Sequence, residues 1–174
     1  MLKLNDRTRK TPHRVYIGLG SNIDPETNLP RALDLLRDSL DIISHSSAWE
    51  TPPTSQNNGP DFINAVALAN TYLSPDQLRT KILRPIETKL GRVRTYDQNA
   101  PRTIDLDILI FDDKILDPQI WRQAHLAIPL AEIELKISHP VSQESLQLIA
   151  QKLFEKTPAL IRAEVISKSL NKGI

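Results

Sequence analysis

The chain has 174 residues, of which 40% are hydrophobic and 25% charged, with 22 Lys and Arg against 21 Asp and Glu and no cysteine. This length fits a single domain of about 100–200 residues, and a disulfide or a cysteine-ligated metal is excluded. The apolar runs are shorter than the ~18 residues of a membrane span, and the net charge of +1 argues against a nucleic-acid-binding protein. We expect a cytoplasmic protein with no membrane or nucleic-acid partner, which the lack of cysteine fits.

The amino-terminal segment differs in charge from the rest of the chain. Its sequence, MLKLNDRTRKTPHR, carries five Lys or Arg and one acidic residue, a local charge of +4. It lacks the apolar stretch of a signal peptide. We expect residues 1–13 to form a flexible basic leader and residues 14–174 to form a single domain.

Apolar spacing predicts the secondary structure of the first half. Leucines at three- and four-residue steps from Leu29 to Leu40 predict a helix. β-branched and alternating apolar runs that end at turn-forming residues predict strands. The strands predicted in this half are 15–22, 42–50 and 62–72, with a proline-rich loop over 51–61.

Capping signals define a second helix. Ser74 is placed as its N-cap and Pro75 at its first position. Gly91 is placed to end the helix, and Pro85 is expected to kink or split it. The elements predicted after it are a strand over 103–111, a loop near 117–118, a turn over 129–134, a helix over 142–156 and a strand over 163–166.

The order of the main elements is strand, helix, strand, strand, helix, strand. This order is that of the split βαβ unit of ferredoxin-like folds. The sequence therefore predicts an α+β fold, a ferredoxin-like αβα sandwich with an antiparallel sheet.

The strand over 103–111 carries two carboxylates. Alternation places Ile104, Leu106, Ile108 and Ile110 on one face and Asp105 and Asp107 on the other. Aspartate is depleted in strand interiors, and two of them at i and i+2 can converge on the hard cations of a two-magnesium site. A solvated edge strand, or a pair bonded to nearby arginines, fits the pattern as well.

The neighbouring charges favour the magnesium interpretation. Residues 84–102 carry five basic and two acidic side chains, whereas residues 105–117 carry five Asp and one Lys. A polyphosphate with magnesium needs both kinds of group, since carboxylates hold the ions and arginines grip phosphate oxygens.

Several segments together resemble a known family. VYIGLGSNI, WETPP, FINAVA, GRVR, APRTIDLDIL, IPLAEI and ISHPV are similar, in collinear order from Val15 to Leu146, to 6-hydroxymethyl-7,8-dihydropterin pyrophosphokinases of folate biosynthesis. The resemblance implies an ATP-dependent diphosphokinase that transfers pyrophosphate from MgATP to the reduced pterin and releases AMP. It implies ATP as co-substrate, two magnesium ions and no obligate protein partner.

The resemblance also implies roles for individual residues. Asp105 and Asp107 would bind the two magnesium ions, and both would be catalytic together with Arg92 and Arg102. The residues assigned to ATP are Glu87, Arg92, Arg94 and Arg102. The residues assigned to the pterin are Thr51, Pro52, Pro53, Phe62, Asn64 and His125, the last standing where the family often has a stacking phenylalanine.

The sequence also departs from the family pattern. Gln98 and Asn99 replace an arginine and a tryptophan, and the chain between Phe111 and Pro129 is shorter and lacks a histidine-proline motif. Arg122 and Arg84 are candidates to supply the missing positive charge. These departures leave open a non-catalytic pterin- or nucleotide-binding relative. A nucleic-acid-binding ferredoxin-like module would need aromatic residues on its sheet, and only 5% of residues are aromatic.

Overall fold

The computed structural model describes residues 11–53, 59–93, 100–134 and 136–167. Residues 1–10 of the predicted leader lie outside this part of the chain, and the first strand begins at His13, the last residue assigned to that leader. None of the helices in the described part is long and apolar enough to cross a bilayer.

The described chain forms one sheet of seven strands, with order β6-β5-β1-β4-β3-β7 and with β2 also paired to β4. All of the pairings are antiparallel. The strands are β1 His13–Ser21, β2 Asp41–His45, β3 Trp49–Thr51, β4 Phe62–Thr71, β5 Asp105–Phe111, β6 Lys114–Ile115 and β7 Leu160–Ile161. The predicted α+β sandwich with an antiparallel sheet is therefore confirmed.

Helices pack on both faces of the sheet. They are α1 Pro25–Ser39, α2 Pro75–Leu78, α3 Arg84–Lys89, α4 Ala124–Ile133, α5 Leu146–Phe154 and α6 Ala163–Ser167, with a 3₁₀ turn at Pro118–Trp121. Buried residues of α1, α2 and α3 share the first core cluster with one face of β1, β4 and β5. Buried residues of α4 and α5 form the second cluster with the other face.

The second predicted helix is split, as its sequence indicates. A π-helical turn, Arg79–Leu83, joins α2 to α3 just before Pro85. Ser74 caps the helix through the backbone N–H of Gln77, whose side chain bonds back to Ser74. Gly91 follows α3 with a φ of 79°, a backbone conformation that glycine adopts without strain.

The predicted apolar face of β5 is correct for three of its four residues. Ile104, Leu106 and Ile108 lie in the first core cluster, but Ile110 lies with Leu109 in the second. A β-bulge causes the change, since the register with β1 shifts where Tyr16 pairs with Ile110 and Ile17 pairs with Ile108. Leu109 is the extra residue of the bulge, and it reverses which face of the sheet the following side chains occupy.

Three further predictions are corrected. The turn expected over 129–134 is wrong, because these residues lie in or directly after α4, which is held by buried Ala127 and Leu130 despite Pro129. The strand expected over 163–166 is wrong, because Val165 and Ile166 are buried in the first core as part of α6. The strand expected over 42–50 divides into β2 and β3.

The capping box at Ser74 gives a stability prediction. Ser74→Ala removes the acceptor for the N–H of Gln77, so the free energy of unfolding is expected to fall by about 1 kcal/mol. Ser39→Ala is the matched control, since that exposed hydroxyl only bonds back to Leu35 O within α1, and a change below ~0.5 kcal/mol is expected. Urea unfolding measures both, and equal losses would contradict the assigned cap.

Candidate active site

The carboxylates of β5 lie beside two glycines of β1. Asp105 pairs with Gly20, which in turn pairs with Asn64 of β4, and Asp107 pairs with Gly18. Directly paired residues of antiparallel strands share a face of the sheet. Gly20 carries no side chain, which leaves a space between Asp105 and Asn64 that we call the trough, whereas the side chain of Leu109 covers Gly18. A Cβ at Gly20 would lie only 3.0 Å from Asn64 Oδ1.

Asp105 is held by two arginines. One of its carboxylate oxygens accepts a hydrogen bond from Arg92 Nη1 and the other from Arg102 Nη1. Burial alone would raise the pKa of Asp105, but the hydrogen bonds and charges of the two arginines outweigh it and hold the pKa below its usual value. Asp105 is therefore a carboxylate at neutral pH.

A buried glutamate anchors the first of these arginines. Glu87 of α3 is 2% exposed and accepts hydrogen bonds from Arg92 Nη1 at 2.6 Å and from the N–H of Leu106 at 3.0 Å. Arg92 Nη1 also donates to the carbonyl of Ile104 at 3.2 Å. The glutamate thus joins the end of α3 to strand β5 and directs Arg92 toward Asp105.

The second arginine is positioned through its backbone. Asn22 Oδ1 accepts a hydrogen bond from the N–H of Arg102 at 2.7 Å, and the N–H of Asn22 donates to the carbonyl of Arg102 at 3.2 Å. The Arg102 guanidinium lies 6.0 Å from the centre of the Phe62 ring. Asn22 belongs to the segment VYIGLGSNI, which carried part of the family resemblance. The sequence analysis assigned no site role to this residue.

Asp107 lies in a negative environment. Its pKa is raised from 3.8 to about 6, first because the surrounding protein limits its solvation and then because Asp105, Glu87 and Asp117 repel its charge. The described residues include no group of three or more His, Asp or Glu side chains arranged to hold a metal. The excess of negative charge at Asp107 nevertheless fits a bound cation, which would relieve this repulsion.

Most of the predicted pterin residues gather around Thr51. Asn64 Nδ2 donates to Thr51 Oγ1 at 2.9 Å in a buried hydrogen bond, and Phe62 pairs with Thr51 across β3 and β4. Thr51, Pro52, Pro53 and His125 line one cavity of about 270 Å³. Phe62 and Asn64 do not line this cavity and lie on the side of Thr51 toward the trough.

His125 lines the cavity and lies close enough to Asp117 and Asp105 for their charges to act on it. Burial lowers its pKa below the usual value, and the nearby charges of Asp117 and Asp105 oppose this shift. A neutral imidazole is thus expected at pH 7 in the position assigned to stacking on the ring. Arg94, Gln98 and Asn99 lie outside the described residues, so the role predicted for Arg94 stays a prediction.

The comparisons with known proteins agree with the site. The model of the family described as 7,8-dihydro-6-hydroxymethylpterin-pyrophosphokinase (HPPK) matches residues 16–135. The 2-amino-4-hydroxy-6-hydroxymethyldihydropteridine pyrophosphokinase of Aquifex aeolicus is 32% identical over 142 residues, which cover 76% of this chain and 88% of that protein. The Bacillus subtilis protein of the same name is 36% identical over 129 residues, covering 68% and 76% of the two chains.

Longer proteins match as well. The folate synthesis bifunctional protein of Arabidopsis thaliana is 34% identical over 133 residues, and the match covers 71% of this chain but 27% of that protein. A crystal structure of wild-type Plasmodium falciparum HPPK-DHPS superposes with a TM-score of 0.67 at 14% identity, covering 86% of this chain and 42% of that one. At this identity the likeness shows the shared fold.

Fold, site and relatives define a pyrophosphokinase, an enzyme that uses ATP as co-substrate and acts on small molecules. The chain belongs to the 7,8-dihydro-6-hydroxymethylpterin-pyrophosphokinase family, which assigns it to the pyrophosphokinase step of folate biosynthesis.

The raised pKa of Asp107 gives a pH prediction. The folded protein binds this proton more tightly than the unfolded chain, so stability falls as pH rises from about 4 through about 6. Asp107→Asn removes the cost of ionising this carboxyl in the folded protein, so it should stabilise the metal-free protein at pH 7. The pKa shift corresponds to ~3 kcal/mol. Solvent screens this exposed side chain, so the expected gain in the free energy of unfolding is about 1 kcal/mol.

The gain should disappear at pH 4, where the wild-type carboxyl is protonated in the folded protein. Guanidinium unfolding at pH 4, 5 and 7 with a chelator present measures it. Asp113→Asn is the matched control, because Asp113 is an exposed aspartate beyond the end of β5. A stabilisation of Asp107→Asn that is the same at all three pH values would contradict the assignment.

Proposed function

We propose that this chain transfers a pyrophosphoryl group from MgATP to the hydroxymethyl group of 6-hydroxymethyl-7,8-dihydropterin, giving AMP and the pterin diphosphate. The observation that carries the proposal is the placement of Asp105, Arg92 and Arg102 at the trough, which Asn64 joins to the cavity through its hydrogen bond to Thr51. We also propose that the enzyme works in the cytoplasm and needs no protein partner.

Asp105 and Asp107 are the residues proposed to hold two magnesium ions. Carboxylate oxygens are the preferred protein ligands of magnesium, and the raised pKa of Asp107 reflects negative charge that a cation would offset. When bound, the ions neutralise the triphosphate and polarise its oxygens.

Arg92 and Arg102 are proposed to hold the triphosphate and the transferring group, with Arg94 as a further ATP contact. Without ligand, both described arginines bond to Asp105. Phosphate oxygens can replace the carboxylate as partners of these guanidinium groups, which frees the oxygens of Asp105. Glu87 remains bonded to Arg92 during this exchange and keeps its guanidinium at the trough.

The pterin is proposed to bind between the Thr51-Pro52-Pro53 turn and His125. The two prolines give the cavity a rigid wall, and a heteroaromatic ring also needs a few fixed polar partners. Because Asn64 Nδ2 donates to Thr51, its Oδ1 is left facing the space above Gly20. This oxygen can accept a hydrogen bond from a ring N–H or amino group, and Phe62, which pairs with Thr51 outside the cavity, is assigned a contact to the ring from that side.

The catalytic contribution of these residues is mainly positioning and charge stabilisation. Phosphoryl transfer requires little covalent chemistry from a protein, and the developing charge lies on phosphate oxygens. Arg92 and Arg102 are preset at the trough by Glu87 and Asn22. Fixed donors of this kind stabilise a transition state without reorganising during the reaction.

The reaction is tested by incubating the protein with MgATP and the reduced hydroxymethylpterin. AMP and pterin diphosphate are expected in equal amounts. The double change Asp105→Asn and Asp107→Asn should lower kcat/KM at least about a hundredfold, because the proposed magnesium ligands lose their charge.

Asp113→Asn, at an exposed aspartate outside the trough, should retain the wild-type rate. Absence of AMP from the wild type would overturn the proposal. Binding of pterin or ATP without turnover, measured by calorimetry, would support the non-catalytic alternative that the sequence departures at Gln98 and Asn99 suggest.

A further inference from the structure

Residues near the end of the described chain form one wall of the cavity at the Thr51 turn. Besides the turn and the start of α4, its lining includes Leu153 of α5 and the residues that follow this helix, Lys156, Thr157 and Pro158. These residues lie beyond residues 16–135, which the family model matches. Neither the resemblance nor the comparisons assign them a role.

The wall formed by Leu153 and the residues after α5 adds positive charge to the cavity. Lys156 lies on it, Arg122 lies just before α4, and no Asp or Glu is among the described residues that line the cavity. Pro52, Pro53, Pro158 and Leu153 supply apolar surface in the same cavity. Such a cavity suits a flat ring that carries acceptor oxygen or nitrogen atoms at its rim.

Backbone hydrogen bonds and ion pairs hold the segment that follows Lys156 against strand β3. Strand β7 pairs with β3, so that Leu160 lies opposite Glu50, and the N–H of Arg162 donates to the carbonyl of Ala48 at 2.8 Å. The Arg162 guanidinium bonds to Glu50, to Glu26 of α1 and to Glu164. Glu50 directly precedes Thr51, so this anchor holds the segment and the turn together.

We propose that the segment from Leu153 to Arg162 is a substrate-binding wall, in which Lys156 donates a hydrogen bond to an acceptor atom of the pterin ring and Arg162 is a positioning residue. This inference rests on the proposed function, because it takes the pterin as the occupant of the cavity. It adds a specificity-determining side chain to the cavity that the Thr51 turn and His125 also line.

The test compares Lys156→Met with wild type in steady-state kinetics and in calorimetric binding of the reduced hydroxymethylpterin. Loss of a charge-assisted hydrogen bond should raise both KM and Kd for the pterin about fivefold or more. KM for ATP should stay within about twofold. Lys156→Arg keeps the charge and the donors, so it should restore pterin binding to within about twofold of wild type.

Lys152→Met is the matched control. Lys152 lies in the last turn of α5, shortly before Lys156, but it pairs with Glu144 and does not line the cavity, so the pterin KM of Lys152→Met should equal that of wild type. Arg162→Ala should raise KM for the pterin while leaving KM for ATP unchanged. An equal rise in both would mean a merely structural role for Arg162.

The outcomes separate this inference from the proposed function. Wild-type turnover with an unchanged pterin KM and Kd in Lys156→Met would overturn the inference and leave the function intact. Wild-type protein that binds the pterin without turnover would overturn the function, while the Kd series still decides the role of Lys156. Wild-type protein that binds no pterin would overturn both.

Discussion

The Asp105 carboxylate joins three parts of the chain that are separate in sequence. It lies on β5, and its two oxygens bond to Arg92, just after α3, and to Arg102, in the loop before the strand. Glu87 completes the group by bonding to Arg92 and to the backbone of Leu106. Partly buried charges are stable only with partners, and removing one member of such a group commonly costs about 3–5 kcal/mol.

The same ion pairs keep the two arginines in place before a ligand binds. The arginines are held at the trough by a carboxylate, which an anionic triphosphate can replace as their partner. At Asp107, two residues further along the strand, limited solvation and the charges of Asp105, Glu87 and Asp117 outweigh the charge of Arg92, so its pKa is raised. The ionised form of Asp107 therefore lowers the stability of the folded protein at neutral pH.

Sequence predicted the parts of this arrangement that depend on local pattern. Alternation placed Asp105 and Asp107 on one face, and the cap at Ser74 was correct because both depend on short spacing. The helix around Pro129 was missed, because burial against the sheet outweighs the proline, and the bulge that turns Ile110 over has no local signal. No local pattern predicts that Lys156 lines the cavity, because the cavity forms only when distant segments meet.

The most direct test of this account is a crystal structure with magnesium, a non-hydrolysable ATP analogue and the pterin. The account predicts that the Arg92 and Arg102 guanidinium groups leave Asp105 and contact phosphate oxygens, while Asp105 and Asp107 coordinate magnesium. Arginines that remain on Asp105, with the metal bound elsewhere, would contradict it.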